Sequence, residues 1–221
     1  KHDIQADQLL IVDSEGTVIR GQKRIFSEWV LHRAVYEARP EVNAVFHSHA
    51  PYSTSFGASA TALPAPFLPE AVVSLGPEIP SVPLTMPGAD AAAALLATIN
   101  RGQSCLIEGN GVLSWGTHLE QAFLRMELVE HIATVAHHAQ SMGGVRVLPE
   151  HMLAPLVAKH VSAGLAAPNV HSRGAGAYEQ NLSKQVQSQL SRMPTNVSGD
   201  DLASLVSAVT KQTLQDLKGE K

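Results

Sequence analysis

The pattern of apolar and polar positions predicts an α/β domain that opens with a β-hairpin. Two apolar runs within residues 8–20 flank a short polar stretch that ends at Gly16, and this arrangement is typical of a hairpin turn. A helix is expected next, with Ser27 as its N-cap and an end near Ala38, because the residue before Pro40 is kept out of the helical region. The chain therefore passes early from a sheet into a helix.

Strands and helices then alternate along the chain. Residues 42–49 carry the β-branched and aromatic side chains of a strand, and residues 90–100 are expected as an alanine-rich helix. Residues 105–108 and 112–116 are expected as two further strands, joined by a tight turn at residues 109–111. This alternation is typical of a layered α/β domain.

Two other segments have contrasting composition. Residues 58–87 are rich in proline and small side chains, which predicts irregular structure with short extended pieces such as residues 71–75. A long helix is expected from Thr117, which would form a capping box with Glu120, to about Gln140. The apolar face of this helix is expected to contain Leu119, Ala122, Phe123, Met126, Val129 and Ala133.

The composition changes near residue 168 and divides the chain into two expected parts. Residues 1–168 are expected to form the α/β domain, and residues 169–221 a linker rich in Ser and Gly followed by helices. Two apolar stripes at helical spacing support those helices: Tyr178, Leu182, Val186 and Leu190, and then Leu202, Leu205, Val206 and Val209. We expect this C-terminal helical extension to pack on the domain or on a neighbouring subunit.

Composition also limits the classes of partner. The 221 residues include 16 Lys and Arg and 20 Asp and Glu, for a net charge of −4, and the basic residues are scattered. We therefore expect neither a nucleic acid nor a membrane surface as a partner. No apolar run reaches the ~20 residues that span a bilayer. A small-molecule substrate is expected, and the one cysteine, Cys105, fits a cytoplasmic location and a buried thiol.

His47 and His49 are the sharpest chemical signal. Residues two apart on a strand face the same side, so two neutral imidazoles can share one metal ion. The alternative is a pair of packed or hydrogen-bonded core histidines. Glu28, in the first turn of the expected helix, is interpreted either as a ligand or general base, or as a glutamate stabilised by the helix dipole.

The order of these signals resembles the class II aldolase/adducin family. The Ser27-Glu28 pair, the helix ending at Arg39-Pro40 and the His-x-His strand within residues 44–50 are similar to that family's core. The turn at residues 109–111 and the helix after it are similar to the family's His-Gly-Leu turn and following helix. The resemblance covers about residues 9–140 and implies a three-layer α/β/α domain around a central, mainly antiparallel sheet.

The resemblance also implies a metal-dependent lyase or epimerase. In family enzymes such as fuculose-phosphate aldolase and ribulose-phosphate epimerase, three histidines bind zinc or a similar divalent ion, and a glutamate is a ligand or acid/base. The first two histidines correspond to His47 and His49, and the glutamate corresponds to Glu28. The resemblance implies that the metal acts as a Lewis acid, so that an enediolate can form or a carbon–carbon bond can break. Glu28 would then move the proton. Asn110 stands at the position of the third histidine, and an amide is a poorer zinc ligand than imidazole.

Three functional hypotheses follow. The first is an aldolase-type lyase, with zinc as the expected metal and iron, manganese or cobalt as alternatives, acting on a small hydroxylated carbonyl or sugar-phosphate-like substrate. The second is a non-catalytic, adducin-like assembly protein with a degenerate metal site. Two features motivate it: Asn110 stands at a ligand position, and the phosphate loop that the family has before the hairpin is not found in this sequence. The third is a decarboxylase or an iron oxygenase, because two histidines and a carboxylate resemble a facial triad. The resemblance further implies a homotetramer.

Overall fold

The structure is a computed structural model and describes residue 5, residues 8–64 and residues 66–166. The expected boundary near residue 168 and both C-terminal amphipathic helices lie outside these residues and stay predictions. Of the described residues, those up to Trp29 belong to one compact unit, and those from Val30 to residue 166 belong to a second. Among the described residues, no helix has both the length and the apolar character that crossing a bilayer requires.

The first unit contains the expected hairpin. Strands β1 (Ile11–Val12) and β2 (Val18–Arg20) pair in antiparallel fashion. The connection is closed by Asp13, whose Oδ1 accepts hydrogen bonds from the backbone N–H groups of Glu15 at 3.0 Å and Thr17 at 2.7 Å. Gly16 has a φ of 84°, a conformation that glycine adopts without strain, which explains why the turn needs this residue.

Helix α1 (Trp29–Ala38) ends where the sequence indicated but begins one residue later than expected. An N-cap at Ser27 would have placed Glu28 inside the first turn, and Glu28 instead directly precedes the helix. A one-residue difference is ordinary for a helix end. It nevertheless removes Glu28 from the first turn, where it was expected.

The second unit is built on a four-stranded sheet. Its strands are β3 (Ala44–Ser48), β4 (Ser81–Val82), β5 (Ser104–Ile107) and β6 (Gly111–Gly116). They lie in the order β3-β6-β5-β4, with β6 antiparallel to both of its neighbours and β4 parallel to β5. The described residues also contain helices α2 (Pro51–Ala58), α3 (Pro69–Leu75), α4 (Ala89–Leu96), α5 (Leu119–Gln140) and α6 (Glu150–Ser162).

Helices cover both faces of this sheet. Helices α1 and α4 pack on one face, where the core contains Leu31, Val35, Val45, Leu95, Cys105, Leu113 and Trp115. Helices α2, α3 and α5 pack on the other face, where the core contains Phe56, Leu75, Leu106, Val112, Met126, Val129 and Ala133. Successive residues of β5 and β6 alternate between the two cores, as the pleat of a strand requires. The expectation of an α/β/α arrangement around a mainly antiparallel sheet is confirmed.

Helix α3 replaces the extended segment that was expected at residues 71–75. Pro69 stands at the start of the helix, where its fixed φ suits the first turn. The negative charge of Glu70 in that turn is stabilised by the positive end of the helix dipole. Gly76, with a φ of 101°, ends it. The side chains of Ala71, Val72 and Leu75 are buried, so tertiary packing overrides the preference of the valines for a strand.

The expected capping box of the long helix is wrong by one residue. His118, rather than Thr117, is the N-cap, and its Nδ1 accepts a hydrogen bond from the backbone N–H of Gln121 at 3.2 Å. Gln121 Oε1 in turn accepts from the backbone N–H of Thr117 at 2.9 Å. The expected apolar face is also partly wrong, because Leu119 is 59% exposed and Phe123 41% exposed, whereas the buried face includes Arg125, Ile132 and Ala136.

The thiol of Cys105 is fully buried in β5, as expected. Burial raises its pKa from 9.0 to about 12. The unfolded chain therefore loses this proton near pH 9, while the folded chain keeps it until about pH 12. Because the unfolded state binds fewer protons in that interval, stability from this group is fully present below pH 9 and falls as the pH rises, by at most about 1.4 kcal/mol per pH unit.

Urea unfolding of the wild type and of Cys105→Ala at pH 8 and pH 10 tests this titration. The variant has no thiol, so every other titrating group cancels in the difference between the two unfolding free energies. We expect that difference to shrink by about 1 kcal/mol between the two pH values. A difference that stays constant would contradict a raised pKa for Cys105.

Candidate functional site

A pair of histidines lies at the end of β3, on the edge of the four-stranded sheet. His47 is half-buried in the strand and pairs in register with Leu113 of β6, while His49 follows the strand and is exposed. The two ring centroids are 5.1 Å apart, and the ring planes are inclined by 72°. The structure therefore brings together the two side chains that the two-residue period placed on one face.

The turn between β5 and β6 reaches this pair through its backbone. The carbonyl oxygen of Asn110 lies 2.7 Å from Nε2 of His47, and since a carbonyl only accepts, the ring nitrogen donates. Ligation of a metal through that nitrogen would require this bond to break. The positive φ values of the turn belong to Gly109 (69°) and Gly111 (85°), and Asn110 between them does not take the left-handed conformation.

Glu28 belongs to the first compact unit. Its side chain is half-buried, and its Oε2 accepts a hydrogen bond from Ser27 Oγ at 2.8 Å. In the part of the chain that the structure describes, no three His, Cys, Asp or Glu side chains gather as a ready metal site. The two imidazoles are nevertheless suitable donors, because zinc and its neighbours in the first transition row accept imidazole nitrogen.

Comparison with known proteins identifies this architecture. The family model described as Class II Aldolase and Adducin N-terminal domain matches residues 1–137. The chain belongs to this family. A 5-methylthioribulose-1-phosphate/5-deoxyribulose-1-phosphate aldolase of Escherichia coli O45:K1 is 32% identical over 166 residues, which cover 73% of this chain and 76% of that protein.

Two further class II aldolase relatives agree with this assignment. A 5-deoxy-D-ribulose 1-phosphate aldolase of Bacillus thuringiensis is 26% identical over 160 residues, covering 72% of this chain and 74% of that protein. The crystal structure of YgbL from Klebsiella pneumoniae matches with a TM-score of 0.63 and 30% identity, over 70% of this chain and 75% of that one. The resemblance seen in the sequence is confirmed, and the chain is an enzyme of the class II aldolase type.

One contact near the histidine pair of this class II aldolase was missed by the sequence. The carboxylate of Glu130 in α5 accepts hydrogen bonds from the backbone N–H groups of Tyr52 at 3.0 Å and Ser53 at 2.9 Å, at the start of α2. Glu130 is 78 positions from Tyr52 and 77 from Ser53 along the chain, and it lies on a helix with many polar residues. No local pattern distinguishes it from a solvated glutamate.

The other histidines at the start of α5 and along it have surface or structural positions. His118 caps the helix, and His131 is exposed. His137 and His138 are exposed near its end, where their ring centroids lie 5.2 Å and 5.9 Å from that of Tyr52. None of these contacts involves His47 or His49.

Gly111 holds the family's turn against the strand that carries the histidines. A Cβ added at Gly111 would collide with the backbone oxygen of Ser48 and lie 3.1 Å from Cα of His49. We expect Gly111→Ala to lower the free energy of unfolding by about 2 kcal/mol more than Gly143→Ala does. Gly143 is a matched control because its φ of 98° is similarly left-handed and nothing lies within 4 Å of an added Cβ.

Urea unfolding of both glycine variants separates contact from backbone strain. Each variant replaces a glycine of positive φ, so both variants carry a similar backbone strain. The difference between their unfolding free energies therefore measures the cost of the close contact between the turn and Ser48. Equal losses would show that the turn can move away from the strand without penalty.

Proposed function

We propose that this protein is a metal-dependent aldolase-type lyase that breaks a carbon–carbon bond in a small hydroxylated carbonyl substrate related to sugar phosphates. The observation that carries the proposal is the His47 and His49 pair, with ring centroids 5.1 Å apart at the edge of the sheet. Support comes from relatives whose names are those of 5-deoxyribulose and 5-methylthioribulose 1-phosphate aldolases.

The metal ligands in this proposal are His47 and His49, with help from Glu28. Asn110 occupies the position of the family's third histidine, and its side-chain amide would be the weakest donor of the set. When bound, the metal supplies Lewis acidity that polarises a substrate carbonyl and hydroxyl. Zinc is proposed because it accepts imidazole and carboxylate together, and metal analysis would distinguish it from iron, manganese or cobalt.

Glu28 is proposed to move the proton. Its carboxylate takes the proton from the hydroxyl group on the β carbon of the carbonyl compound. The bond between that carbon and the α carbon breaks, and the β carbon leaves as an aldehyde. The remaining fragment then receives one proton on carbon, so the substrate gives two carbonyl products without any other reactant. The hydrogen bond from Ser27 Oγ to Glu28 Oε2 orients the carboxylate, and the assignment itself rests on the Ser27-Glu28 motif.

The test is a cleavage assay on protein purified without a histidine tag. We expect metal in elemental analysis and conversion of 5-deoxy-D-ribulose 1-phosphate or 5-methylthioribulose 1-phosphate into two carbonyl products, detected by mass spectrometry. Chelation should stop turnover, and return of zinc should restore it. Isomerisation of the substrate without fragmentation would show an epimerase activity in place of the proposed lyase activity. Full turnover by metal-free protein would refute the proposed metal dependence.

The proposal extends to assembly and location. A homotetramer follows from the family resemblance, and a cytoplasmic location is consistent with the single, reduced and buried Cys105. Light scattering of the full chain measures the first, and fractionation of the source cells measures the second.

A further inference from the structure

Helix α2 begins two residues after His49 and has no side-chain cap of its own. Ala50 stands at the N-cap position, with φ −63° and ψ 133°, and its methyl group accepts no hydrogen bond. Pro51 at the first helical position has no N–H group. The backbone N–H groups of Tyr52 and Ser53 are therefore the first donors that this helix must satisfy.

Glu130 satisfies both donors from α5. Its Oε1 accepts from the N–H of Tyr52 at 3.0 Å, and its Oε2 accepts from the N–H of Ser53 at 2.9 Å and from Ser53 Oγ at 2.8 Å. Both carboxylate oxygens are thus used, and the negative charge lies at the positive end of the helix dipole. A side chain remote in sequence provides the cap that Ala50 lacks.

This cap fixes the backbone next to an exposed metal-ligand candidate. On one side of His49, Ser48 pairs with Val112 in the sheet, and on the other side only Ala50 and Pro51 separate it from the residues held by Glu130. Since the side chain of His49 is exposed, core packing does not set its position. Its position depends instead on the pairing of Ser48 in the sheet and on the α2 residues that Glu130 holds.

We propose that Glu130 is a positioning residue that aims His49 by capping α2. The proposal rests on the proposed metal-dependent function, in which His49 is a ligand. Groups that hydrogen-bond directly to a metal ligand typically change metal affinity by about 10- to 100-fold, and we expect the lower end of that range for Glu130, which acts on His49 through the backbone.

The variant Glu130→Gln keeps the shape and removes the charge and one acceptor. We expect faster amide exchange at Tyr52 and Ser53, a lower NMR order parameter for the backbone of His49, and Co²⁺ binding about tenfold weaker than in the wild type. Glu127→Gln, an exposed glutamate on the same helix, is the matched control and should change none of these quantities. If Glu130→Gln does not fold, Ser53→Ala removes a single bond of the cap and should give a smaller change in the same direction.

A rescue variant distinguishes capping from a general structural role. Adding Ala50→Ser to Glu130→Gln places a neutral N-cap acceptor next to the N–H of Ser53, on a backbone that already has N-cap geometry. We expect it to restore both amide protection and Co²⁺ affinity. Restored protection without restored affinity would overturn the proposal, as would an unchanged order parameter for His49 in Glu130→Gln.

The order parameter and amide exchange need neither metal nor substrate. If the wild type binds no Co²⁺, the proposed function fails while these two measurements still decide whether Glu130 fixes the backbone of His49. If the wild type binds Co²⁺ and Glu130→Gln binds it equally well, the proposed function stands and the role of Glu130 is refuted.

Discussion

Replacement of His49 by alanine is expected to lower kcat/KM for cleavage of 5-deoxy-D-ribulose 1-phosphate by about a thousandfold. The variant keeps one histidine on the strand, and the Nε2 of that residue already donates to the carbonyl of Asn110 at 2.7 Å. A single remaining imidazole holds a divalent ion poorly, so the Lewis acid is lost with it. Metal catalysis contributes several kcal/mol to such reactions, and about 4 kcal/mol corresponds to a thousandfold in rate.

The fold should survive this substitution. His49 is exposed, and replacement of an exposed side chain usually changes the unfolding free energy by no more than about 0.5 kcal/mol. His131→Ala, another exposed histidine, on α5, is the control and should keep both metal and turnover. Circular dichroism, metal per chain and turnover are measured on the same preparations. Full turnover by metal-free His49→Ala would exclude the histidine pair from catalysis.

The histidine pair was predictable because its geometry is local. A strand alternates its side chains with a period of two, so the sequence alone puts residues 47 and 49 on one side, and in the structure their ring centroids are 5.1 Å apart. Strands β3, β5 and β6 and most of α5 were predictable for the same reason, whereas β4 lies in the segment that was expected to be irregular. Their periodicity is visible in windows of a few residues.

The parts that were not predictable depend on distant residues. Helix α3 forms where two valines favour a strand, because burial of its apolar face is decided by helices that lie far along the chain. Glu130 caps α2 across 77 positions of sequence, and its residue type carries no sign of that role. The contact of Asn110 with His47 uses a backbone oxygen, which no residue identity can reveal.

The turn of Asn110 bears on the proposed ligand set. Gly109 and Gly111 carry the left-handed conformations, so the turn makes no demand on the side chain between them. The carbonyl of Asn110 would remain available to His47 whatever that side chain is. The asparagine is therefore replaceable without a backbone penalty.

Asn110→His is expected to tighten zinc binding by about a hundredfold. Structural zinc sites with four ligands bind with about 10–16 kcal/mol, or about 3 kcal/mol for each ligand, and about 2.8 kcal/mol corresponds to a hundredfold in affinity. Because Asn110 has no positive φ, the unfolding free energy of the metal-free variant should stay close to that of the wild type. Competition with a chromophoric chelator measures the affinity, and urea unfolding measures the stability.

Two controls show whether the gain comes from this site. Asn110→Gln keeps an amide in the same turn and should leave the zinc affinity near that of the wild type, since amide oxygen is a poor ligand for zinc. Addition of His49→Ala to Asn110→His should remove most of the gain, because the new imidazole then lacks a partner on the strand. If Asn110→His binds zinc no better than the wild type does, the side chain at position 110 does not reach the histidine pair, and Asn110 leaves the proposed ligand set.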